Sequence, residues 1–184
     1  PQSATQDTVL QAASEQAQQY LTELGQPAEY LPVHTAALAG LLEVGFFKYS
    51  VEHEAESARS AEPTPAQAAN QAVALIRQAL SFRGGFLRYN AGESPEVGSW
   101  WLRNAQESAP PLYDRIEMTL VRYLIKHQPC TLADIEMHLS QEFTGLFTPD
   151  RSFVEICLDS YAEPLGNNNT LWQLRPQEAP SLRR

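Results

Sequence analysis

Positive charge is scarce in this sequence. Thirteen Lys and Arg stand against 22 Asp and Glu, a formal net charge of -9 over 184 residues. That balance excludes a strongly basic nucleic-acid coat, because neutralising phosphate takes Lys and Arg in excess. Local basic patches remain open. Cysteine is nearly missing as well. Cys130 and Cys157 make no disulfide framework, and a reducing compartment suits so few thiols. Long apolar runs are missing too, and a membrane span needs about 20 apolar residues. The most apolar stretch, 33–47, is interrupted by His34, Thr35 and Glu43 and reads as a core helix. The opening Pro1-Gln2-Ser3-Ala4-Thr5 has neither the basic nor the apolar region of a signal peptide. The expected location is the cytoplasm, and a first residue other than methionine fits a piece of a longer protein.

The chemistry-bearing motifs are equally sparse. Gly84-Gly85 lacks the Lys and the helix start that a phosphate cradle needs, and no dinucleotide fingerprint or nucleophile elbow occurs. His127 and Cys130 have the spacing of half a metal site. A zinc site needs a second pair, and only the scattered His138 and Cys157 are on offer. Glu52-His53-Glu54 belongs to a solvated acidic run. No catalytic residue, cofactor or metal is assigned, and enzymatic activity is not expected.

What the chain does have is apolar content, at 43%, against 19% charged residues. That is enough to bury a core, as one large domain or two small ones. Apolar residues recur at three- and four-residue steps from about Asp7 to Leu24, which predicts an amphipathic helix ended by Gly25 and Pro27. A second helix is predicted from Val33 or Thr35 to Val44. An acidic insert at 50–64 follows, read as a helix tail and then a loop. Thr64-Pro65 opens a third helix to about Phe82. Phe86–Tyr89 and Ser99–Arg103 read as a hairpin, and Ala109-Pro110-Pro111 as a linker. The second half repeats the order. Helices are predicted over 113–127, 132–143 and 150–161, with Thr131 capping the middle one, then a turn over 164–169 and a strand at 171–175. The expected domains are 1–108, 112–176 and a loose tail at 177–184.

The halves also share words. Tyr20-Leu21 followed by Gln26-Pro27 returns as Tyr123-Leu124 followed by Gln128-Pro129, and Trp100-Trp101-Leu102-Arg103 returns as Trp172-Gln173-Leu174-Arg175. Three helices followed by a hairpin resemble the winged-helix form of helix-turn-helix. The expected fold class is therefore mainly α with small β-hairpins, as two tandem winged-helix-like units of helix-turn-helix plus wing.

Charge decides between uses of that fold. A DNA-reading third helix offers Arg, Lys, Asn or Gln to base edges. Here the third helix of the second half carries Arg151 against Asp150, Glu155 and Asp159. Phosphate repels such a helix, which favours docking of another protein, with Trp100, Arg151 and Glu155 as partner-binding candidates. The alternative is direct DNA or other nucleic-acid binding through the first hairpin. There Arg77, Arg83, Arg88 and Arg103 are interleaved with aromatics, and Trp101 could stack on a base. Alternation puts Trp100 and Trp101 on opposite faces of their strand.

Several phrases resemble the non-catalytic C-terminal accessory region of large bacterial DNA-methylase-like proteins. They are Tyr20-Leu21 through Gly25-Gln26-Pro27, Leu87-Arg88-Tyr89-Asn90, Trp100-Trp101-Leu102-Arg103, Pro111-Leu112-Tyr113-Asp114-Arg115-Ile116-Glu117 and Trp172-Gln173-Leu174-Arg175. The methylase catalytic motif, an acidic or Asn residue before Pro-Pro and an aromatic, is missing; Ala109-Pro110-Pro111-Leu112 lacks both flanks. The resemblance implies an accessory part of a DNA-modification or bacterial defence assembly that performs no methyl transfer.

Overall fold

The first helix, α1 (Gln6–Leu24), buries Val9, Leu10, Ala13, Ala17, Leu21 and Leu24 along one side, as its periodicity requires. Gly25 follows at φ +73°, a left-handed residue that stops the helix, and its N–H bonds to the Leu21 carbonyl. These statements come from a computed structural model that describes residues 6–46, 65–81, 84–166 and 170–178. The acidic insert at 50–64, Arg83 and the Asn167-Asn168-Asn169 turn lie outside the described residues, as does the tail from 179 onward.

The chain divides into two compact units, residues 1–109 and 110–184. In the first, α1 is followed by a two-residue strand, β1 (Ala28–Glu29), and then by α2 (Tyr30–Glu43). The second helix starts three residues before the earliest expected position. Pro32 looks like a break in the sequence, but it stands in the first turn, where a missing N–H leaves no bond unmade. The next described helix, α3 (Pro65–Ser81), contributes Ala72, Ile76, Ala79 and Leu80 to the core. The hairpin is β2 (Phe86–Tyr89) and β3 (Ser99–Leu102). β3 lies centrally in a three-stranded antiparallel sheet ordered β1-β3-β2.

The second unit has α4 (Leu112–His127), β4 (Cys130–Thr131), α5 (Leu132–Glu142), a short 3-10 turn (Gly145–Phe147) and α6 (Arg151–Tyr161), then β5 (Ala162–Leu165) and β6 (Leu171–Leu174). Its core gathers Ile116, Leu120, Leu124, Ile135, Leu139, Val154 and Leu158, all essentially without solvent contact. Thr131 caps α5 as expected and adds a reciprocal bond. Its hydroxyl accepts from the Asp134 N–H at 3.2 Å, and the Asp134 carboxylate accepts from the Thr131 N–H at 3.0 Å. Asp150 caps α6 by accepting from the Phe153 N–H at 2.8 Å.

Among the described residues the two units follow one plan: helix, short strand, two helices, hairpin. Their sheets correspond too, since β4-β6-β5 repeats the order β1-β3-β2. The registers match residue for residue, with Ala28 opposite Trp100 in one sheet and Cys130 opposite Trp172 in the other. The hairpins pair Phe86 with Leu102 and Ala162 with Leu174. Both echoes in the sequence thus fall on equivalent places, Gln-Pro before the first strand and Trp-x-Leu-Arg along the central one. The described chain is mainly helical with two small antiparallel sheets, and none of its helices is long and apolar enough to cross a membrane.

Candidate functional site

The arginine that ends each Trp-x-Leu-Arg strand has a structural task. In the second unit the Arg175 guanidinium donates to the carbonyls of Asp159 (2.5 Å), Ala162 (3.1 Å) and Ser160 (3.3 Å), where α6 runs out of amide partners. A cation at that end also answers the negative pole of the helix. In the first unit Arg103 donates from Nε to the Gly84 carbonyl at 2.6 Å, while its backbone N–H bonds to Gly85. Arg103 therefore clamps the segment that leads into the hairpin.

Arg88 and Arg77 are engaged as well. Arg88 donates to the Gly92 carbonyl and lies over the Trp100 ring, 5.7 Å from its centroid. Arg77 faces Glu96 across 3.8 Å. Trp100, expected at a partner surface, is a core residue instead. It is 8% exposed, packs edge-on against Phe86, and donates its indole N–H to the Pro95 carbonyl at 3.0 Å. Trp101 takes the opposite face of the strand and is half-buried, as alternation requires.

The partner-binding candidates Arg151 and Glu155 come together in a cleft of 740 Å³. One wall is the start of α5 (Thr131, Leu132, Ala133, Glu136). The other is α6, whose Arg151, Glu155 and Asp159 recur every four residues and so share one face. Thr170 and Trp172 of the hairpin close the end. Arg151 Nε lies 2.9 Å from Glu155 and 3.8 Å from Glu136. The hydrogen bond to Glu155 and the charges of both carboxylates raise the pKa of Arg151 above its ordinary value, so it is a permanent cation. Even so, the cleft holds three carboxylates and one cation.

A second cleft, of 370 Å³, lies in the first unit. It is lined by Glu29, Tyr30, Leu31 and His34 from the start of α2, by Val73 and Arg77 of α3, and by Glu96 of the hairpin loop. Positions 29, 30, 31 and 34 match 131, 132, 133 and 136 of the larger cleft at a constant offset of 102. The same offset relates Ala28 to Cys130 in the sheets. The cleft is thus a property of the shared plan. Burial, and then the nearby Arg77 guanidinium, lower the pKa of His34, so it is uncharged at neutral pH.

Several other titratable groups pack or brace. His127 and His138 each stack on Tyr123, with ring centroids 4.5 Å apart in both pairs. Tyr161 donates to Glu117 at 2.9 Å. Cys130 and Cys157 are buried free thiols, and burial pushes Cys157 up to about 11. Among the described residues no group of three or more His, Cys, Asp or Glu has the geometry to hold a metal ion. Sequence reasoning missed Glu136, Asp159 and Trp172 in the larger cleft and Glu29, His34 and Glu96 in the smaller. The offset between the Gln-Pro echoes was the signal that could have paired the two α-helix starts. Comparison with protein-family models, with curated proteins and with solved structures gave no match.

Proposed function

We propose that both units are winged helices and that the chain is a non-catalytic docking module for another protein or domain. In this reading it is an accessory part of a bacterial DNA-modification or defence assembly. One observation carries the docking reading. The face on which a DNA-reading winged helix meets the groove is here a cleft with Glu136, Glu155 and Asp159 against Arg151. Carboxylates at that density repel phosphate over distances up to a Debye length, about 8 Å at physiological salt. The assembly context rests on the sequence resemblance alone.

Nucleic-acid binding through the first hairpin gains no support from the site. Arg77, Arg88 and Arg103 each have a partner in their own unit, and phosphate would have to displace it. Titration of labelled duplex and single strand at two salt concentrations tests the choice. At physiological salt the expected affinity is no tighter than about 10⁻⁴ M, the weak end of non-specific binding. Micromolar or tighter binding that falls steeply with salt would overturn the docking reading.

A further inference from the structure

We propose that the cleft of the second unit receives an arginine- or lysine-bearing segment of the partner protein. Its cation takes Glu155 and Asp159, and its aliphatic stem lies along Trp172. The inference rests on the docking reading and names the chemistry of the occupant.

Charge complementarity is the first argument. The two walls supply three carboxylates, and the cation already among them, Arg151, is 67% exposed at its side chain and held by two of the three. An incoming cation adds charge where the balance is negative. A peptide with neutral or acidic side chains leaves that balance unanswered.

The repeated plan supplies the second argument. In the first unit the central-strand tryptophan, Trp100, carries a guanidinium from its own hairpin, Arg88, which stands opposite it in the register. In the second unit Trp172 is the counterpart, and the residue opposite it is Pro164, which brings no cation. The tryptophan nevertheless borders a cleft lined with carboxylates. A guanidinium arriving from outside can complete the arrangement that the first unit completes internally, gaining both the ring face and the carboxylates. Ile156, 61% exposed on the same helix as Glu155 and Asp159, offers apolar contact beside the cleft for the residues flanking that cation.

The test uses the full chain and three fluorescein-labelled ten-residue peptides, in which leucine alternates with arginine, glutamine or glutamate. The arginine peptide should bind about tenfold tighter than the glutamine peptide, from two exposed ion pairs of about threefold each. Arg151→Ala frees Glu136 and Glu155 and should tighten the arginine peptide about threefold. The double change Glu155→Gln with Asp159→Asn should weaken it about tenfold. Glu142→Gln, which removes one charge from α5 outside the cleft, should change nothing, and this separates the cleft from the general attraction of an acidic protein for polycations. Equal binding of the arginine and glutamine peptides overturns the inference and leaves the docking reading standing. An unchanged affinity in Arg151→Ala, or an effect of Glu142→Gln as large as that of the double change, also overturns it. Duplex binding that Arg151→Ala weakens overturns both.

Discussion

Replacing Gly40 with leucine is expected to unfold the first unit at a markedly lower temperature. Gly40 lies in α2, buried against α1, and a Cβ built there comes within 2.5 Å of the Ala12 carbonyl oxygen and 2.9 Å of its carbon. Both atoms are backbone, so no side chain can swing aside. The two helices approach this closely because Ala13, Ala17, Ala36 and Ala37 are small and buried around the contact. Two effects oppose one another. Leaving glycine behind in a helix gains about 1 kcal/mol of propensity. Forcing bulk into a packed contact costs typically 1–3 kcal/mol and more where backbone must move. The Cβ clash with backbone outweighs that gain already for alanine, and for leucine packing wins by about 3 kcal/mol. In a unit of this size that lowers the midpoint by roughly 10 °C or more. The chain has three tryptophans, and a Trp172→Phe background leaves only Trp100 and Trp101, both in the first unit, as reporters. A leucine variant that melts with the parent would show that the helix contact is looser than described.

The second large effect is expected at Gly98, where the hairpin loop enters β3. Its φ is +93°, a region that L side chains rarely adopt. A Cβ there collides with the Tyr89 carbonyl oxygen and comes within 2.8 Å of the Asn90 oxygen. Tyr89 is the last residue of β2 and pairs with Ser99, so relief of the clash must break the register. Strain of about 1–3 kcal/mol adds to the collision, and Gly98→Ala should cost about 3 kcal/mol. The indole of Trp100 would lose its seat against Phe86 and the Pro95 carbonyl, and emission in the Trp172→Phe background should shift to the red. Gly92→Ala is the control in the same loop. Its new Cβ meets only the Val97 side chain, at 3.0 Å, and exposed Val97 can give way. Equal effects of the two changes would refute the backbone argument.

The helices were legible because their apolar residues recur at helical spacing over three or more turns, long enough for a period to register. The strands β1 and β4 were not, because two residues have no period. Their existence follows only from the central strand that each one pairs with. The sequence puts Pro164 and Leu165 of the strand β5, Ala162-Glu163-Pro164-Leu165, in a turn over 164–169 and leaves Ala162 and Glu163 unassigned. The strand belongs to a sheet after all, at the edge, where a residue without an N–H breaks no ladder bond. For the site, alternation correctly put Trp100 and Trp101 on different faces, but it could not say which face was the core. The arginines show the larger limit. Arg, aromatic and Arg in a row look the same in sequence whether they await phosphate or, like Arg103 at Gly84, tie down their own backbone. Arg151 and Glu155 were legible as a charged helix face. Their cleft was not, since its second wall comes from α5.

The most direct measurement places a photo-cross-linking amino acid at Ile156, exposed beside the cleft, and in a second protein at Glu142 on the end of α5. Both proteins are irradiated in cells and their adducts are treated with nuclease. Docking of a protein segment predicts a discrete adduct from position 156 that survives nuclease, and none of comparable yield from position 142. A position-156 adduct that nuclease removes would contradict the central claim, because the cleft face would then be lying on nucleic acid.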